Sequence, residues 1–152
     1  MDRYRGLTKY AIERNKNTNG LHDTYAADLV CAYGRQFYSP FGEDGSRMKF
    51  RVILTNAVDH NSKNVIYSVI RDISHKSGVT LWYFHTNKCT LKRGDVIVSG
   101  TPVCVSAKNG DMTGPHVHFE VRTAKGAHIN PKEVLALMKG GRNGILLGFP
   151  KK

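Results

Sequence analysis

Cysteine is scarce in this chain and unpatterned. Cys31, Cys89 and Cys104 make an odd count with no CxxC spacing, which argues against a disulfide framework and against a cysteine-rich zinc module. Buried, reduced thiols are the expectation. Long apolar runs are missing as well, so no membrane-spanning helix is expected. The opening residues, MDRYRGLTKYAIERNKN, are basic but have neither an apolar h-region nor a small-residue cleavage site, so they do not read as a secretory signal. The expectation is a protein that works in the cytoplasm or leaves the cell without the usual export route. Acidic residues are few: 12 Asp and Glu stand against 23 Lys and Arg, a net charge of +11. That charge favours a polyanionic partner but chooses only a sign. Nucleic acid, anionic membrane and cell-wall polymers all qualify, and a basic surface that only keeps the protein soluble also fits. Internal repeats and low-complexity tracts are absent.

What is present is β-structure. At 152 residues the chain is long enough for one domain with a real core and short for two. Its 15 glycines and 7 tyrosines lean towards turns and strands. ADLVCAYG, RQFYSPFG and MKFRVILTNAV read as the first strands, followed by VIYSVIRDIS and VTLWYFHT. KRGDVIVSGTPVCVSA then supplies strands joined by glycine turns, and HVHFEVR supplies another. INPKEVLALMK alone predicts a helix, with Asn130 as N-cap, Pro131 in the first turn and Glu133 three residues after the cap. Gly140 and Gly141 stop it. The expected architecture is mainly β: an antiparallel sheet or barrel-like single domain over residues 21–140 with a short C-terminal helix. A polar N-terminal arm over 1–20 precedes it and a weakly patterned tail over 141–152 follows.

The stretch TGPHVHFEV, residues 113–121, carries the strongest chemical signal. In a strand, alternate side chains share a face. His116, His118 and Glu120 therefore share one face, while Val117, Phe119 and Val121 form a core stripe on the other. Gly114 and Pro115 fix how the chain approaches that strand. Alone, such a pair is more often exposed or hydrogen-bonded than functional. Two further stretches add weight. In LHDTYAADL, His22 and Asp28 flank a short loop; an imidazole and a carboxylate, with a second imidazole from elsewhere, form a three-ligand zinc set that leaves a fourth position open. In LWYFHT, alternation places His85 with Tyr83 on a polar face, opposite Trp82 and Phe84. His60 and His75 fall in polar loops, and His128, just before the Asn130–Pro131 turn, reads as a surface residue. Cys31 lies near Asp28, yet a small buried hydrophobe is the expectation for it, because soft ligands usually come in sets.

The order HDTYAAD, YFH, LKRGDVIVSGTPV, TGPHVHFEV and INPKEVL resembles that of the lysostaphin/LytM-type zinc metallopeptidases, which cut peptide cross-links in bacterial peptidoglycan. The resemblance runs from about residue 20 to 138. It implies a zinc metallopeptidase domain in which His22, Asp28 and His118 hold Zn2+. It further implies that His116 is the base that activates the attacking water, and that His85 helps hold the developing oxyanion. Many members space the first pair as HxxxD, whereas five residues separate His22 from Asp28 here. Asp23 is the neighbouring carboxylate; Asp28 is the assignment because AADLVCAYG matches the family's strand entry. Glu120 is expected either to support His118 from behind, as acceptors commonly do for metal-bound imidazoles, or to be a solvated strand carboxylate.

These readings predict a zinc-dependent endopeptidase whose substrate is bacterial peptidoglycan, with anionic wall polymers as a further partner explaining the charge. The alternative is a catalytically silent relative that binds wall, or activates an amidase, through the same groove. Nucleic acid is disfavoured, because neither interleaved aromatic platforms nor a recognition helix is visible. Family members that serve the bacterium itself are exported. The missing signal therefore suggests a phage enzyme, associated with the virion and its tail proteins or released to the host cell wall at lysis. The bond cut is expected to depend on groove loops at roughly residues 39–48 and 56–64.

Overall fold

The structure is a computed structural model of the chain and describes residues 27–40, 47–74, 78–112, 114–126 and 128–129. The arm, His22, His75, the expected C-terminal helix and the tail lie outside the described residues. In chain order the strands are β1 (Ala27–Val30), β2 (Gln36–Tyr38), β3 (Lys49–Asp59), β4 (Val65–Asp72), β5 (Thr80–Phe84), β6 (Thr86–Asn87), β7 (Val96–Val98), β8 (Pro102–Ser106), β9 (His116–Arg122) and β10 (His128–Ile129). A 3-10 turn, His60–Ser62, sits between β3 and β4.

Seven strands form one antiparallel sheet in the order β1-β9-β5-β4-β3-β7, with β10 continuing along β9 beside β1. A second, three-stranded sheet runs β2-β8-β6. The mainly β, antiparallel expectation is met. The segment KRGDVIVSGTPVCVSA divides between the sheets: β7 edges the large one and β8 centres the small one, and the chain crosses at Gly100, whose φ of 86° favours glycine.

The period-2 patterns explain where the core lies. Val117, Phe119 and Val121 of β9 are fully buried, as are Leu81 and Tyr83 of β5 and Phe50 of β3. Phe37, from the small sheet, meets Tyr83 edge-on at 6.4 Å between ring centroids, and Tyr83 meets Phe119 at 5.4 Å. The small sheet therefore seals one face of the large sheet. Burying each such aromatic side chain is worth roughly 1.5–3 kcal/mol. Cys89 and Cys104 are buried and all three cysteines are free thiols, as the odd count predicted. Cys31 is half-buried against this core, and burial, the largest influence on it, pushes its thiol pKa up.

The longest strand, β3, is irregular. Its register with β4 shifts between Val52 and Leu54 and again between Leu54 and Ala57. Asn56 takes a left-handed φ of 50° there, and its side chain bonds both backbone groups of Cys89, donating at 2.9 Å and accepting at 3.2 Å. Because β3 runs to Asp59, the turn to β4 is shorter than the expected loop at 56–64; the polar run DHNSKN hides the strand's end in the sequence.

Candidate functional site

The outer face of the large sheet carries the chemistry, because β9 alternates. With Val117, Phe119 and Val121 committed to the core, His116, His118, Glu120 and Arg122 must point the other way. Cross-strand register sets Phe84 opposite His118, Trp82 opposite Glu120 and Thr80 opposite Arg122. Tyr67, Trp82 and Phe84 stack nearly parallel, with centroids 5.1 to 6.0 Å apart. Phe84 meets the His118 ring edge-on at 5.5 Å. On the other side of His118, strand β1 sets Asp28 directly across in register. Directly opposed residues in an antiparallel pair have Cα atoms roughly 4.5–5.5 Å apart.

Glu120 is 6% exposed, and its carboxylate is saturated with donors. Nε2 of His118 donates to Oε2 at 2.8 Å. Nε2 of His128 donates to Oε1 at 2.8 Å, and Arg122 donates to the same oxygen from Nε at 3.0 Å and Nη2 at 2.7 Å. Burial resists the charge, but the hydrogen bond and charge of His118, then those of Arg122, outweigh it and hold the carboxyl at about 2. An ionised carboxylate only accepts, so His118 is fixed as the Nε2–H tautomer. Burial excludes the solvated reading of Glu120, and its hydrogen bond to His118 is the contact that the supporting reading requires. The same network draws in His128, which was expected at the surface. Its signal is the short turn after β9: hairpin pairing of β10 brings His128 opposite Arg122.

His85 is not on a polar strand face, as alternation had suggested. Tyr83, its expected neighbour on that face, is wholly buried in the core. His85 instead follows the end of β5 in a left-handed conformation, φ 65°, which interrupts alternation and swings the ring to the face of His116 and His118. Ring centroids lie 4.9 Å from His116 and 6.5 Å from His118. Two backbone bonds hold the strained residue, His85 N to Ile66 O at 3.0 Å and Ala107 N to His85 O at 2.9 Å. Its Nδ1 donates to Asn109 O at 2.7 Å. Gly110 makes room for the ring: a Cβ there would lie 3.2 Å from His85 Cε1 and 2.8 Å from Val65 Cβ. Periodicity gave no hint of Asn109 and Gly110; the AKNGD turn was the only mark they left in the sequence.

A carbonyl can only accept, so Nδ1 of His85 carries the hydrogen and Nε2 of the neutral ring holds a lone pair. Burial lowers the His85 pKa to about 4; the Asn109 carbonyl opposes this, and the charges of His116 and His118 add to it. His116 is fixed the same way, Nδ1 donating to Gly114 O at 2.9 Å. Both rings therefore offer Nε2 as an acceptor in their neutral forms. The His85 ring donates from Nε2 only after taking a proton there.

His85, His118 and Glu120 border a cleft of about 530 Å³ whose lining also includes Asp59, Asn61, Lys63 and Asp111. The turn after β3 thus forms one wall. His60 is exposed there, bonded to Asn64. Among the described residues, no three His, Cys, Asp or Glu side chains stand together as a metal would require. The expected set has His22 outside those residues. What is described suits zinc: an imidazole tautomer with its lone pair on Nδ1, a buried carboxylate behind it and an aspartate position across the strand pair.

The model of Peptidase family M23 matches residues 52–131. The chain is 37% identical over 49 residues to the peptidoglycan DD-endopeptidase ShyB of Vibrio cholerae serotype O1, covering 32% of this chain and 12% of that protein. It is 24% identical over 123 residues to ShyC, a peptidoglycan DD-endopeptidase of the same organism, covering 81% and 27%. It therefore spans less than a third of either relative. Among solved structures, the antimicrobial peptidase lysostaphin from Staphylococcus simulans superposes with a TM-score of 0.56 at 20% identity, covering 84% of this chain and 50% of that one. This last likeness is one of fold.

Proposed function

Because the chain belongs to Peptidase family M23, we propose that it is a zinc-dependent endopeptidase that hydrolyses peptide cross-links of bacterial peptidoglycan. The observation that carries this reading is the meeting of the His85 ring with those of His116 and His118, with Asp28 in register across from His118. The names of the Vibrio relatives support the substrate class. His22, Asp28 and His118 would hold the metal. Zinc, when bound, supplies Lewis acidity that acidifies water and polarises a carbonyl.

The chain's own residues then divide the proton work. His116 accepts the proton of the attacking water at Nε2, being held by Gly114 with its lone pair on that atom. His116 then passes that proton to the leaving amine nitrogen, and His85, on taking a proton from solvent at Nε2, would help hold the developing oxyanion; donors so placed are worth roughly 2.7–4 kcal/mol elsewhere. The cleft wall at Asn61 and Lys63 orients the peptide. Anionic wall polymers account for the net charge of +11, and delivery to the host wall from a virion or at lysis completes the proposal.

Digestion of purified cell walls followed by mass spectrometry of the fragments tests it. New amino termini at cross-link peptides, lost in His118→Ala, are expected. Undiminished wall binding without any cleavage would point instead to the silent relative. Detection of the chain in purified virions tests the route of delivery.

A further inference from the structure

On the reading that His118 is a zinc ligand, we propose that His128 and Arg122 are positioning residues of the metal centre, acting through Glu120. The geometry gives Glu120 one oxygen for each task. Oε2 receives Nε2 of His118 at 2.8 Å. Oε1 receives His128 at 2.8 Å and both Nε and Nη2 of Arg122, at 3.0 and 2.7 Å. A carboxylate on a strand is free to rotate about its last bonds unless both oxygens are occupied. Here three donors fix Oε1, so Oε2 has one place to be. The ring of His118 is thereby held as the Nε2–H tautomer, the one whose Nδ1 lone pair a metal can use.

The anchors are themselves anchored. The Arg122 guanidinium lies 3.6 Å from the centroid of the Trp82 ring, and the indole donates to Thr80 Oγ1 at 2.8 Å. Trp82 in turn stacks on Tyr67 at 5.6 Å. His128 is held by backbone pairing of β10 to β9, where it stands opposite Arg122. A continuous path therefore runs from the aromatic shelf through Arg122 and Glu120 to His118. His128 closes it from a part of the chain ten residues further on. On the His118 side, Phe84 meets the ring edge-on at 5.5 Å, adding to the hold of the Glu120 hydrogen bond.

The test uses the whole chain. Zinc affinity is measured by competition with a chromogenic chelator for the parent, His128→Ala, His128→Gln and Arg122→Met. The tautomer of His118 is read from its ring 15N shifts in the metal-free proteins. His128→Ala is expected to weaken zinc binding by roughly 10–100-fold and to mix the His118 tautomers. His128→Gln, which restores an N–H donor, should recover most of both. Arg122→Met, which keeps packing on Trp82, should resemble His128→Ala and serves if that variant does not fold. Parent-like affinity and tautomer in both His128→Ala and Arg122→Met would overturn the proposal. Failure of the parent to take up zinc would sink the functional reading instead, and the metal-free tautomers would still decide whether His128 positions His118.

Discussion

Replacing Gly110 with alanine isolates the device that holds His85 in place. Gly110 has a φ of 70°, and a Cβ there would meet Val65 Cβ at 2.8 Å, Val65 Cγ2 at 3.1 Å and His85 Cε1 at 3.2 Å. The left-handed backbone alone costs an L-residue about 1–2 kcal/mol. Overpacking of this kind typically adds about 1–3 kcal/mol. The two together predict a loss of roughly 2–5 kcal/mol from a total that is about 5–15 kcal/mol for a typical domain. Gly94 is the control: its φ is 93° but nothing lies within 4 Å of a built Cβ, so Gly94→Ala should lose only the backbone cost of about 1–2 kcal/mol. Urea unfolding of both variants separates strain from collision. Cε1 sits between the two ring nitrogens, so a displaced ring moves Nε2 within the cleft. Activity of Gly110→Ala should fall, by less than the roughly 100-fold that a full ångström of misplacement costs. Equal stabilities for the two variants would refute the packing argument.

Two further predictions follow from the same cleft. In the metal-free protein, His85 is held at about 4 against an ordinary 6.5, so the unfolded chain binds more protons between those values; its contribution to stability is full above pH 6.5 and declines as pH falls to 4. Glu120, held at about 2 against 4.5, contributes above pH 4.5 and loses that contribution as pH falls through 2. Thermal unfolding should therefore move to lower temperature steadily from pH 6.5 to pH 2, and a flat profile would contradict both assignments. His116→Ala should retain zinc yet lose roughly 100–10,000-fold in wall cleavage, as read by soluble fragments released per unit time.

Much of this was legible in the sequence because period-2 patterning is unambiguous where one face is apolar. Val117, Phe119 and Val121 announced the core, so His116 and His118 had to face away, and they do. The same rule failed one residue past the end of β5. Alternation assigns His85 to the face of Tyr83, but the left-handed turn at His85 reverses it, and a histidine in that conformation leaves no periodic trace. The contact between His128 and Glu120 is hidden for a different reason. Its partner Glu120 is eight residues away, and only the β9–β10 hairpin brings them to 2.8 Å. The tautomers of His85 and His116 depend on backbone carbonyls of Asn109 and Gly114, contacts to main chain that side-chain identity does not encode.

X-ray absorption at the zinc edge tests the central claim most directly. About one zinc per chain is expected, bound by two imidazole nitrogens and one carboxylate oxygen, with one nitrogen scatterer missing in His118→Ala. A shell that is unchanged in His118→Ala, or that contains sulfur, would contradict it.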